Sequence, residues 1–141
     1  MSKDWVKDIN EMQSKYKTHD WIENADINQL KAFLRFRVDF LQEELEETRT
    51  AQKVIDSEEI VDGLVDLCVV AIGTLDAFGV DPYKAWDSVL KANMAKEPGI
   101  KEARPNPLGL PDLMKPEGWT APSHEGNHGI LPTLKGEYYG T

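Results

Sequence analysis

A chain of 141 residues, 40% hydrophobic and 29% charged, has the size of one domain with one core and the composition of a globular protein. Its formal net charge of −9 argues against non-specific binding to nucleic acid or to an anionic membrane, so an anionic ligand would need a cation to bridge the two negative partners. The single cysteine, Cys68, excludes an intrachain disulfide and a thiolate zinc site.

Helical periodicity organises residues 1–97, and 98–141 form an irregular extension: of 8 prolines only Pro82 precedes Pro98. The start, Ser2 to Lys7, alternates charged and apolar residues and lacks the apolar run of a signal peptide. No segment reaches the roughly 18 to 20 apolar residues that span a bilayer, so the cytoplasm is the expected address. In the first predicted helix Trp5, Ile9, Met12 and Tyr16 share a face. Thr18-His-Asp-Trp21 reads as a polar connection. The second helix, about Asn28 to Lys53, sets Leu30, Phe33, Leu34, Val38, Leu41 and Leu45 on one stripe, with Asp26 or Asn28 as its cap. The third runs from Ser57 to Phe78, capped by Asp56 or Ser57 and stopped by Gly79. Its apolar face is Ile60, Leu64, Leu67, Ala71, Leu75 and Phe78. Val69 and Val70 make its second half apolar almost all round, and one way to bury such a helix is against a second subunit. The fourth begins at Asp81-Pro82, buries Trp86, Val89, Leu90 and Met94, and ends at Glu97-Pro-Gly99. The fold class is therefore all-α: an antiparallel bundle of four main helices completed by oligomerisation. The extension keeps Leu108, Leu110, Leu113, Trp119, Ile130, Leu131, Leu134, Tyr138 and Tyr139. They favour a segment lying on the body or on a neighbouring subunit, the alternative being a disordered tail.

The chemistry-bearing residues are carboxylates. Glu43, Glu44 and Glu47 fall within about a 100° arc beside the stripe of the second helix. Glu59, Asp62 and Asp66 occupy about 60° on the third. A very short connection makes these helices antiparallel neighbours, which brings Glu47 opposite Glu59 and Asp62. Such an all-oxygen group suits magnesium or manganese, cations that also bind phosphate oxygens. The competing reading is a solvated acidic face, with Glu59 serving in a capping box after Asp56. Trp21 is a candidate to stack on a base, or simply a core or surface tryptophan. His124 and His128 have i, i+4 spacing but no apparent helix or third ligand, so they read as solvated.

Glu43-Glu44-x-x-Glu47 followed by Glu59-x-x-Asp62 resembles the signature of the MazG/HisE-type all-α pyrophosphohydrolases. Arg37, Asp62-Gly-Leu-Val-Asp-Leu67, Gly73-Thr74 and Val89-Leu-Lys-Ala-Asn-Met-Ala-Lys96 extend the likeness, the last especially to small, phage-type members. It covers residues 5–97, while the tail around Lys115-Pro-Glu-Gly-Trp119 is only faintly similar to some members. The resemblance implies Glu44, Glu47, Glu59 and Asp62 as metal ligands and Glu43 as a base or supporting carboxylate. It also implies Asn93 and Lys96 as contacts to sugar or phosphates, although Lys96 also suits a helix C-terminus. The implied reaction is (d)NTP plus water giving (d)NMP and pyrophosphate, by a homodimer or homotetramer, in a host cytoplasm if phage-encoded. Deoxynucleotides, dGTP first, are the expected substrates, with dUTP, dCTP or phosphoribosyl-ATP as alternatives. A non-catalytic acidic helical adaptor is the rival of another class.

Overall fold

The computed structural model describes residues 3–102 and 107–135. Five helices run in chain order: α1 (Trp5–Lys15), α2 (Thr18–Asn24), α3 (Ile27–Val54), α4 (Ser57–Ala77) and α5 (Pro82–Met94). The fold is all-α, as expected. The described residues form two compact units, one made of 3–82 with 128–135, the other of those within 83–127.

In the first unit α3 and α4 make the most extensive helix pairing. Local chemistry fixes their ends. Asp26 caps α3 in a full capping box with Gln29, and Asp56 accepts from the Glu59 backbone N–H to cap α4. At the far end of α4, Gly79 takes φ +77°, and the Val80 and Gly79 N–H groups donate to the Leu75 and Asp76 carbonyls. This closes the helix in a Schellman motif. Ile55 and Asp56 alone join the two helices. The pairing is antiparallel: Thr48 meets Gly63, Arg37 meets Gly73, and Phe33 meets Phe78.

The core gathers at the end away from the turn. Ile22, Leu30, Ala77, Phe78 and Leu134 form one buried cluster, with Phe33, Leu34 and Leu131 packed on it. Leu131 and Leu134 belong to a 3-10 helix (Leu131–Lys135), so this stretch of the extension packs on the helical body. It is pinned by the Ile130 N–H donating to the Phe78 carbonyl. Tyr138 and Tyr139 lie outside the described residues.

The buried faces differ from the predicted ones in a consistent way. On α1 only Ile9 of the expected face is buried, and Gln13 is buried while Met12 and Tyr16 are exposed. On α3 Val38 and Leu45 are exposed, and Arg37 and Glu44 sit partly covered at the adjacent positions. On α4 Gly63, Val70, Gly73 and Ala77 face inward, whereas Leu64 and Ala71 face out. The segment read as a polar connection is α2, a helix of 7 residues. It is too short to show a period, and Lys17, in the left-handed region at its start, makes no side-chain cap.

The second unit carries α5 and a two-stranded antiparallel ribbon, β1 (Glu97–Gly99) with β2 (Asp112–Met114), in which Pro98 pairs with Leu113. The Trp119 indole N–H donates to the Ala92 carbonyl at 2.8 Å, and Ser88 exchanges hydrogen bonds with the Ser123 backbone. Trp86, Leu90 and Met94, expected as core, are exposed, and Ala92 is buried instead.

Candidate active site

Along the α3–α4 hairpin the inward positions change chemistry level by level. Nearest the turn are small residues: Ala51 is buried, and Gly63 lets α4 approach so closely that a Cβ there would collide with the Thr48 hydroxyl. Thr48 also donates to the Glu44 carbonyl at 2.8 Å. Carboxylates come next. Glu44 and Asp66 are half-covered, and Asp62 and Glu47 stand beside them, more exposed. Then come Arg37 and Gly73, and finally the rings of Phe33 and Phe78, whose centroids lie 5.7 Å apart. Trp21 joins this last level, 5.5 Å from Phe33. An open cleft of about 730 Å³ runs across these levels, lined among others by Trp21, Phe33, Phe36, Phe40, Arg37, Glu44 and Asp66.

The carboxylates repel one another. Partial desolvation raises the Glu44 carboxyl above its ordinary value, and Glu47, Asp66, Asp62 and Glu43 raise it further. Desolvation likewise raises Asp66, helped by the charge of Asp62 and a side-chain hydrogen bond with it. Among the described residues no lysine or arginine pairs with any of these groups; Arg49, on the same helix, lies 3.7 Å from Glu46 instead. Among the described residues, too, no three acidic, histidine or cysteine side chains are drawn into a ready-made cation geometry. Glu44, Glu47 and Asp62 are therefore brought together, with Asp66 added. Glu59 is exposed in the first turn of α4 and Glu43 is exposed on α3. Asp66 was legible in the sequence as the next carboxylate on the face of Asp62.

A second polar group backs the cleft. Asp76 accepts from Asn10 Nδ2 and Gln13 Nε2, each at 2.7 Å, and from His19 Nε2 at 2.6 Å. Ser14 Oγ lies 3.0 Å from His19 Nδ1. Burial alone would raise the Asp76 carboxyl, but these hydrogen bonds and the His19 charge outweigh it and hold it below its ordinary value. Gln13 passes the order on, its Oε1 lying 3.4 Å from an Arg37 N–H.

Asn93 and Lys96 belong to the second unit. Asn93 is exposed near the end of α5, and Lys96 Nζ lies 5.4 Å from the centre of the Trp119 ring, with Lys115 Nζ at 5.1 Å. His124 and His128 are not on a helix.

No curated protein matches this sequence. Residues 19–93, just over half of the chain, match the family described as phosphoribosyl-ATP pyrophosphohydrolase, PRA-PH. The match takes in α2 from His19, all of the carboxylate-bearing hairpin and α5 as far as Asn93. The chain thus belongs to the phosphoribosyl-ATP pyrophosphohydrolase family, within the MazG-like all-α superfamily, and is a hydrolase acting on phosphoanhydrides.

Proposed function

We propose that this protein hydrolyses a (deoxy)nucleoside triphosphate to the monophosphate and pyrophosphate, using magnesium or manganese held by Glu44, Glu47, Glu59 and Asp62 together with Asp66. The observation that carries this is the half-covered carboxylate group on α3 and α4, which no basic residue neutralises among the described residues. An all-oxygen set under mutual repulsion fits a hard divalent cation, which would neutralise it and bridge to phosphate oxygens. When bound, such a cation supplies charge neutralisation and a more acidic water. The chain's own residues do the rest. Glu43 takes a proton from the attacking water, and Trp21 with Phe33 offers a ring surface to the base. On the strength of the resemblance, Asn93 and Lys96 meet the sugar and phosphates. Arg37 and Glu44 are two turns apart on α3, about 10 Å, a distance that a nucleoside can bridge between base and phosphates.

Phosphoribosyl-ATP fits the family equally well, because it offers the same anhydride to the same carboxylates. The test is a panel of dNTPs, NTPs and phosphoribosyl-ATP with magnesium, read as pyrophosphate released, then repeated in excess EDTA. Release that stops with EDTA is expected. No release from any substrate would end this reading, and release unaffected by EDTA would end the metal's part in it.

We also propose that the working form is a homodimer or homotetramer. On α4 Val61, Leu64 and Val65 are 63%, 52% and 41% exposed, and with Cys68 and Ala71 they make one apolar stripe. Light scattering should return a multiple of 15.9 kDa at micromolar concentration, and a single-chain mass would contradict this.

A further inference from the structure

The cleft holds a guanidinium that the protein itself leaves mostly unused. Arg37 carries five N–H donors on a planar fork. Among the described residues its contacts are one hydrogen bond, at 3.4 Å to Gln13 Oε1, and the Phe33 ring, 4.8 Å from Cζ. No carboxylate of a described residue reaches it, although Glu44 and Asp66 line the same cleft. The side chain is half-covered, yet none of its nitrogens is buried without a partner, so water meets the unused donors until a ligand replaces it. Its position is nevertheless well specified. Asp76 fixes the Gln13 amide, the amide presents its oxygen to Arg37, and Gly73 leaves the room both need. A Cβ at residue 73 would lie 2.7 Å from Gln13 Oε1 and 3.3 Å from the Arg37 guanidinium.

We infer that Arg37 reads the base of the substrate, and that the base is a 6-oxopurine, guanine or hypoxanthine. This rests on the nucleotide reading given above and deepens it. The Arg37 fork demands two acceptors side by side in one plane, and O6 with N7 of a 6-oxopurine supplies them. Adenine sets an N6 amino donor beside N7 and would meet the fork donor to donor. Cytosine also offers adjacent acceptors, O2 and N3, but a one-ring base leaves more of the surface of Trp21, Phe33, Phe36 and Phe40 uncovered.

The test uses the full chain and needs no turnover. Binding of dGMP, dIMP, dAMP, dCMP and 7-deaza-dGMP is measured by calorimetry without metal, for the wild type and for Arg37→Lys. A good bidentate contact discriminates by about 5- to 150-fold. The wild type should therefore bind dGMP and dIMP that much more tightly than dAMP or dCMP, and 7-deaza-dGMP, which lacks N7, should fall towards dAMP. Arg37→Lys keeps the charge, loses the fork, and should erase the preference while leaving dAMP binding nearly unchanged. Equal affinities, a preference for dCMP, or binding of none of the five would overturn the inference. So would an Arg37→Lys variant weakened equally for every base, since that places the guanidinium on the phosphate. Should Arg37→Lys not fold, the 7-deaza comparison on the wild type decides. Triphosphate hydrolysis without base preference would sink this inference and spare the proposed function. Preference without hydrolysis would do the reverse.

Discussion

The two ends of the α3–α4 hairpin are built on opposite principles. Away from the turn Phe78 is 1% exposed, touches Phe33, and lies in a cluster with Leu30, Ile22, Ala77 and Leu134. Towards the turn the inward positions hold Glu44 and Asp66, backed by Asp62 and Glu47, and each charge raises the cost of the others. The apolar end stabilises the pairing of the helices, and that pairing holds the carboxylates together against their repulsion. Proteins commonly give up stability where function needs it, and under the proposed function the carboxylate end is such a place.

The largest effect is expected from breaking the apolar end. Phe78→Ala removes the most completely buried large side chain and should cost about 3–5 kcal/mol, read as a lower urea midpoint. If the ends divide the work as argued, pyrophosphate release per folded molecule should survive. A loss of activity as steep as the loss of stability would show that the division is false.

Gly63→Ala attacks the other end. Its Cβ would collide with the Thr48 hydroxyl, so either that hydroxyl leaves the Glu44 carbonyl or the helices separate beside the carboxylates. Overpacking of this kind costs about 1–3 kcal/mol. The metal requirement should also shift, seen as a higher magnesium concentration for half-maximal activity. Adding Thr48→Ala removes the obstruction and should recover much of both losses. A double variant no better than the single one would mean that Gly63 matters for another reason.

How much of this was legible in the sequence depends on which end is considered. The caps at Asp26 and Asp56 and the stop at Gly79 were readable because local hydrogen bonding decides them. The inward stripe of α3 was harder. Its true course is Leu30, Phe33, Leu34, Arg37, Leu41, Glu44, Thr48 and Ala51, a clean helical period interrupted by two charged residues. Choosing apolar residues alone shifts the stripe to Val38 and Leu45, one position beyond Arg37 and Glu44. The reading therefore erred where charged residues take inward positions, which an apolar pattern cannot show. Gln13 misled in the same way, since only the tertiary contact with Asp76 explains why an amide is buried there. The ribbon of the second unit has strands of 3 residues, too short for alternation to show.

Acid should separate the two ends without any substitution. Asp66 and Glu44 have raised carboxyl values in the folded chain, so they bind protons there more readily than in the unfolded chain. Their penalty is fully present above those raised values and is relieved as the pH falls through them. Asp76 is depressed, so its contribution is present above the ordinary carboxylate range and is lost as the pH falls through its lowered value. The metal-free protein should therefore gain a little stability on mild acidification and lose it on stronger acidification. Magnesium should remove the first phase, because the carboxylates it holds resist protonation. A stability that only falls from neutrality downward in EDTA would show that the carboxylate repulsion is not felt.

The smallest effect on stability, and the most direct one on the carboxylate group, is expected from Asp62→Asn. Asp62 contributes charge to the environments of both Glu44 and Asp66, yet its own side chain is exposed. Removing that charge lowers the cost of ionising its neighbours, so the metal-free variant should be more stable than the wild type. At an exposed position the gain should stay within about 0.5 kcal/mol. Asp62 is a cleaner probe than Glu59, whose charge in the first turn of α4 also meets the helix N-terminus. In magnesium the sign should reverse. The wild type then gains the free energy of a ligand that binds only the folded state, and the variant, short of one oxygen donor, gains less of it. Under the proposed function turnover should also be lost in the variant, since Asp62 is one of the carboxylates proposed to hold the cation that neutralises the polyphosphate. Four melts are enough to measure this: wild type and Asp62→Asn, each in EDTA and in magnesium. An identical difference between the two proteins in both conditions would remove Asp62 from the metal's ligands, leaving it as one more charge on a solvated face.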